Sequence, residues 1–116
     1  MSPEDLVRFF HQRRFPLTDE KYLQTRIEEV FTAEGIAFER EVRLSSKDII
    51  DFIVDGDIGI EVKIKGGKRN IYDQVSRYCA HDRIKSVVLL TAVSMGFPPE
   101  IDGKSCYVAS LGRGWL

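Results

Sequence analysis

Residues 49–65 read Ile49-Ile50-Asp51-Phe52-Ile53-Val54-Asp55-Gly56-Asp57-Ile58-Gly59-Ile60-Glu61-Val62-Lys63-Ile64-Lys65. Two apolar runs flank an Asp-Gly-Asp turn, which is the pattern of a β-hairpin. A strand sends alternate side chains to opposite faces, so Glu61 and Lys63 share one face while Ile60, Val62 and Ile64 share the other. Read as a three-residue loop centred on Gly56, the turn pairs Val54 with Ile58 and therefore Asp51 with Glu61. Opposed residues lie ~5 Å apart at Cβ and point to the same side. A two-residue Asp55-Gly56 turn would instead pair Asp51 with Ile60. The longer loop is preferred because it gathers the apolar residues on one face.

Two carboxylates held this close repel each other and raise one pKa unless a cation lies between them. Mg²⁺ suits such a pair, since it takes oxygen ligands, keeps several waters and is commonly held by one or two carboxylates with substrate phosphate. Lys63 adds a cation on the same face and reads as an electrostatic stabiliser and water-positioner before a free base. Gly59, two residues before Glu61, leaves space where a substrate backbone or a packed helix could come close.

Outward from the hairpin, the chain has 116 residues, enough for one modest core. Seventeen Lys and Arg against eighteen Asp and Glu give a formal net charge of -1, so any nucleic-acid surface must be a local patch. Cys79 and Cys106 suit neither a disulfide framework nor a zinc site and read as reduced, buried thiols. The first residues are acidic where a signal peptide is basic, and no apolar run approaches the ~20 residues of a membrane helix. The expectation is a cytoplasmic protein with no membrane partner and no organic cofactor.

Ser2, Pro3, Glu4 and Asp5 open a helix whose stripe of Leu6, Val7, Phe9 and Phe10 runs to about Arg14. Thr18 opens a second, with Leu23, Ile27, Val30 and Phe31 at helical spacing and Gly35 as its stop. Residues 37–44 alternate as a strand, and the hairpin follows. Gly66-Gly67-Lys68-Arg69 reads as a flexible basic loop before a third helix over 70–81, faced by Ile71, Val75, Tyr78 and Cys79. The apolar run within 86–91 reads as a strand buried on both sides. Pro98-Pro99 and Asp102-Gly103 mark turns, and residues 105–108 form a last short strand. The expected fold is α/β, a single domain over 1–116 with a mixed sheet flanked by helices and an extra helix at the N-terminus.

In motifs and element order, residues 18–91 resemble the PD-(D/E)XK nuclease superfamily, of the small kind that includes phage nucleases and archaeal Holliday-junction resolvases. The resemblance implies a restriction-endonuclease-like core in αβββαβ order. It implies Asp51 and Glu61 as ligands of Mg²⁺, for which Mn²⁺ can substitute, with the backbone carbonyl of Val62 completing the protein's share. It gives Lys63 the task of positioning the attacking water and stabilising charge on the scissile phosphate. Gln74 resembles the glutamine many members carry on the following helix, and Glu20 the acid on the first core helix, with Glu28 the alternative. The family's named proline is absent, Ile50 preceding Asp51. The activity implied is endonucleolytic hydrolysis of DNA.

An acid-x-Lys triplet matches by chance, and Asp102-Gly103-Lys104 is a second one, set aside because it lies in a turn. The weight rests on Asp51, Glu61 and Lys63 together on a hairpin, followed by a helix with Gln74. Lys65, Lys68, Arg69 and Arg77 are expected to contact flanking phosphates, which position a strand without reading its sequence. Cutting is therefore expected to be structure-selective or weakly specific, and cutting both strands of a duplex calls for a homodimer. The competing readings are a salt-bridge ladder on a solvent-facing sheet, a nucleic-acid-binding module without catalysis, and an RNA-directed nuclease. His11 and His81 are left out of the site, and Gly66-Gly67-Lys68 lacks the spacing of a P-loop. Phe9-Phe10 and Trp115-Leu116 read as core or dimer contacts.

Overall fold

The structure, a computed structural model, describes residues 1–112. The Trp115-Leu116 reading lies outside the described residues. Among the described residues three helices and six strands follow one another as α1 (Pro3–His11), α2 (Glu20–Ala33), β1 (Phe38–Arg43), β2 (Ile49–Val54), β3 (Ile58–Lys63), α3 (Lys68–Cys79), β4 (Ser86–Thr91), β5 (Glu100–Ile101) and β6 (Lys104–Ser110). The strands form one mixed sheet in the order β1-β2-β3-β4-β6-β5. The first three pair antiparallel, β3 to β4 and β4 to β6 pair parallel, and β5 closes the far edge antiparallel to β6.

Local chemistry explains the helix starts. The Ser2 hydroxyl accepts the Asp5 amide while the Asp5 carboxylate accepts the Ser2 amide, a reciprocal cap on α1. Asp19 caps α2 by accepting the Lys21 amide at 3.1 Å, so the helix begins at Glu20 and not at Thr18. Gly35, at φ +70°, stops it as expected. α1 ends at His11, short of Arg14, and the buried Phe15 returns the chain to the core.

Both faces of the sheet are covered. On one, Leu6, Phe9 and Phe10 of α1 and Leu23, Ile27 and Phe31 of α2 pack on Phe52, Ile60, Val62, Val88 and Leu90. On the other, Ile71, Val75, Tyr78 and Cys79 of α3 pack on Ile50, Ile53, Val87 and Leu89. All of β4 is buried, in keeping with its uninterrupted apolar run. The division of the hairpin into a core face and an open chemical face is therefore corrected: α3 covers the face that carries Glu61. Gly59 lies under this cover, where a Cβ would meet Ile50 Cδ1 at 2.5 Å and Ile84 Cδ1 at 3.3 Å, so its missing side chain makes room for core isoleucines and not for a substrate.

Two further expectations change. Lys68 and Arg69 lie in the first turn of α3 instead of a loop before it. The last strand is longer than residues 105–108, and Glu100–Ile101 pairs with it across the Asp102-Gly103 turn, whose residues take φ +51° and +77°.

Candidate active site

The hairpin turns through three residues. Val54 pairs with Ile58 and Phe52 with Ile60, and Asp55 and Gly56 take positive φ in the loop between them. Regular pairing ends at Phe52, one residue short of Asp51. From there the Asp51 side chain takes over, its Oδ2 accepting the Val62 amide at 2.8 Å. The break coincides with a distortion on the outer neighbour: Glu41, bracketed by the pairs Arg40 with Phe52 and Val42 with Ile50, sits at φ +54°. Ile50 and Ile53, three residues apart, both pack beneath α3, so strict alternation fails in between. Irregularities of this kind re-aim a side chain where a strand leaves its ladder.

Glu61 is only 2% exposed, and its Oε1 has no hydrogen-bonding partner among the described residues. Its Oε2 lies 3.5 Å from Lys63 Nζ, and the Lys63 side chain is about one-quarter exposed at 25%. Burial, and then the charge of Asp51, push the Glu61 carboxyl up to about 8. Burial also raises Asp51, against the opposing hydrogen bond from Val62. A solvent-facing salt-bridge ladder would leave these groups wet, and Glu61 is not.

Glu20, at the start of α2, reaches this site and Glu28 does not. Glu20 Oε1 accepts the Ile64 amide at 2.9 Å, just past the end of β3, and its charge acts on Asp51. Glu28 faces Arg40 at 3.6 Å. Gln74 acts at one remove, its Nε2 donating at 2.8 Å to the Tyr78 hydroxyl, which donates in turn to the Ile49 carbonyl at 3.0 Å. Tyr78 is buried beside both carboxylates, and burial followed by the Glu61 charge raises its phenol above the ordinary value. Sequence reasoning assigned Tyr78 to the apolar face of α3 and missed its polar end.

Two clefts open on the site. One of about 540 Å³ is lined by Leu17, Thr18, Asp19, Glu20, Lys63, Ile64 and Lys65. The other, about 410 Å³, is lined by Lys21, Glu41, Arg43, Ile49 and Asp51. Lys65, Lys68 and Arg69 are exposed around the first turn of α3. Arg77 also ties α3 to the turn before β2: its Nε donates to Asp48 Oδ1 at 3.0 Å, and His81 Nε2 lies 3.2 Å from Asp48 Oδ2. This buried Asp48 and its two partners were also missed, since nothing in the local pattern links positions 29 and 33 residues apart.

Among the described residues no three His, Cys, Asp or Glu side chains gather into a metal-holding group. A cation here would rest on two carboxylates, a donor set that suits Mg²⁺ better than zinc or calcium. The residues fit that ion, because the orphaned Glu61 Oε1 and two carboxyls with raised pKa, Glu61 buried and Asp51 partly so, form an all-oxygen site short of positive charge. Among the described residues no helix is long and apolar enough to cross a membrane. Comparison of the chain with protein-family models, curated proteins and solved structures finds no match to any of them.

Proposed function

We propose that this chain is a metal-dependent endonuclease hydrolysing phosphodiester bonds in DNA, built on a restriction-endonuclease-like core, with structure-selective or weakly sequence-specific cutting. The observation that carries the reading is the buried, unpartnered Glu61 Oε1 beside Asp51. A buried carboxylate beside a second, partly buried one is costly without a cation, and natural chains tolerate such a pair where it does something.

Asp51, Glu61 and the Val62 carbonyl would hold Mg²⁺, with Mn²⁺ able to replace it. When bound, the ion supplies Lewis-acid polarisation of the phosphoryl oxygen and lowers the pKa of water. The chain's own groups do the rest. Lys63, at the open end of β3, neutralises charge on the scissile phosphate and orients the attacking water. Glu20 holds the strand end in place through the Ile64 amide, and Thr91 Oγ1 holds it from the other side by donating to the Lys63 carbonyl at 2.7 Å. Gln74 and Tyr78 fix the chain leading into Asp51.

Phosphates on either side of the cut meet Lys65, Lys68 and Arg69. The start of α3 supports this, since it has two cations, no acid and no side-chain cap in its first turn. Cations there oppose the helix dipole, and a bound phosphate offsets that cost. One domain offers one such site, so cutting both strands of a duplex requires a two-fold dimer.

The test is a labelled panel of supercoiled plasmid, linear duplex, single strand, four-way junction and RNA, incubated with Mg²⁺ or Mn²⁺, with wild type beside Lys63→Ala. Metal-dependent cutting of DNA that Lys63→Ala abolishes is the expected result. Tight binding without cutting identifies a binding module, and cutting of RNA alone redirects the activity to RNA. Neither binding nor cutting overturns the proposal.

A further inference from the structure

The second cleft sits apart from the cations assigned to phosphate contact, and its composition is unusual. Lys21 from α2 and Arg43 from β1 face it together with Glu41, Ile49 and Asp51. Ile49 is 43% exposed, one of four exposed large apolar side chains among the described residues. Two cations, an exposed apolar surface and a wall formed by Asp51 suit a nucleotide, whose phosphate is anionic and whose sugar and base have apolar faces.

The Lys21 ammonium is engaged. Its Nζ lies 3.0 Å from Glu41 Oε1, and both side chains are more than half exposed, at 72% and 53%. An ion pair this wet contributes little to stability. Glu41 nevertheless takes a left-handed backbone, φ +54°, within a strand, which a side chain other than glycine's adopts only at a cost. Backbone strain beside Asp51 that yields only a weak surface pair is poorly explained by folding alone. Arg43 donates from Nη1 to the Ser45 and Ser46 carbonyls, both at 3.3 Å, which holds its guanidinium near the cleft with further N–H groups to offer.

We infer that this cleft is a nucleotide subsite for the strand being cut, in which a backbone phosphate adjoining the scissile one displaces Glu41 from Lys21 and is held by Lys21 and Arg43. Ile49 supports the sugar or base of that nucleotide. Glu41 acts as a resident counter-ion: it keeps Lys21 in place when the cleft is empty and sets a threshold that only a stronger anion passes. The cleft thereby favours a phosphodiester chain over weaker anions. The inference rests on the nuclease reading of Asp51 and extends it to a strand path that crosses the site from the Lys65 side to the Lys21 side.

The experiment measures binding of a short labelled DNA strand, its duplex, and the RNA strand of the same sequence to the full chain, in EDTA and in Ca²⁺, over a range of salt. Parallel cleavage assays use Mg²⁺. Lys21→Ala and Arg43→Ala are each expected to weaken DNA binding roughly five-fold and to lower the salt slope by about 1, as loss of a phosphate contact does. Glu41→Gln should tighten binding several-fold, and that gain should vanish in the Lys21→Ala background, a coupling that a merely structural Glu41 would not produce. All three positions altered here are exposed, and thermal melts check that the variants fold. Wild type that cuts DNA with an affinity indifferent to Lys21, Arg43 and Glu41 overturns the subsite and leaves the nuclease reading standing. Wild type that neither binds nor cuts any strand overturns both.

Discussion

The Asp51 carboxylate accepts the amide hydrogen of Val62 at 2.8 Å, across two strands whose regular pairing has ended one residue earlier. A side chain has replaced a backbone partner at the point where β2 and β3 separate. The replacement fixes Asp51 beside Glu61 without a further element.

Asn at position 51 keeps an oxygen for that amide and loses the charge. Asp51→Asn should therefore reduce metal-dependent cleavage by about 100-fold or more, the scale on which loss of a charge-stabilising group acts. Its melting temperature should stay close to wild type at acid pH, where the wild-type carboxyl is itself protonated. Asp51→Ala should lose cleavage equally and, by leaving the Val62 amide unpaired, cost about 1–3 kcal/mol of stability. Cleavage kinetics and urea unfolding of the two variants side by side separate the chemical role from the structural one.

Asp48 is buried under Arg77 and His81 and ties the turn before β2 to α3. Burial raises its carboxyl, but the hydrogen bonds from Arg77 and His81 together outweigh that and hold it below the ordinary 3.8. A depressed carboxyl stabilises the fold above its unfolded pKa, and the contribution is lost as pH falls through the folded value. Asp48→Ala should lower stability by removing the buried carboxylate that Arg77 and His81 share, although the half-exposed Arg77 remains solvated without it. Arg77→Ala should lower the urea midpoint while leaving the salt slope of DNA binding unchanged, which would set Arg77 apart from Lys65, Lys68 and Arg69. A reduced salt slope in Arg77→Ala would return it to the phosphate contacts.

The hairpin was legible from residues 49–65 alone because a period of two and an Asp-Gly-Asp turn leave few registers, and the apolar residues select among them. Glu20 is preferred over Glu28 only on the resemblance of Glu20-Lys21-Tyr22-Leu23 to the family's spacing, and the structure brings Glu20 to the end of β3. What the pattern could not carry was cover. Alternation says which side chains share a face and is silent on what packs against it, so Glu61 read as open when α3 buries it. The same limit hid Gly59, which looked like room for a ligand and is room for Ile50 and Ile84. Tyr78 was legible as core but not as a donor to the Ile49 carbonyl, because a hydroxyl at the end of an apolar ring leaves no trace in hydrophobic spacing. Asp48 with Arg77 and His81, and β5 with two residues between turn signals, depend on tertiary neighbours that no local window contains.

Gly59 supplies a prediction of its own. The contacts a Cβ would meet are the tips of two side chains, so one methyl group forces Ile50 and Ile84 to shift but does not strike backbone first. Gly59→Ala should cost about 1–2 kcal/mol and Gly59→Val about 3 kcal/mol, the range of overpacking in a filled core. Urea unfolding checks both. DNA affinity per folded molecule should be unchanged in Gly59→Ala, whereas a substrate-facing glycine would lose affinity with little loss of stability.

The raised carboxyls give the fold a pH dependence of unusual sign. Glu61 rises from 4.5 to about 8 in the folded chain, and Asp51 rises with it. Between these values the unfolded chain has released protons that the folded chain retains, so the unfolded state binds fewer and stability falls as pH increases. The protonated pair's contribution is complete below the unfolded pKa and gone once pH passes the folded one. Without divalent metal, the melting temperature should therefore decline between about pH 5 and about pH 9, where most domains are near their plateau. Glu61→Gln should flatten the decline and raise stability at its alkaline end, because a neutral amide has no proton to lose. Mg²⁺ should raise the melting temperature most at the alkaline end, where both carboxylates are charged and free to bind it, and least at the acidic end, where protons occupy the site. Melting curves over pH, with EDTA and with Mg²⁺, read all of this without any nucleic acid present. A metal-free melting temperature that rises with pH through this window would mean that the two carboxyls are not raised in the fold, and a Mg²⁺ effect equal at both ends would mean that Asp51 and Glu61 do not share a cation.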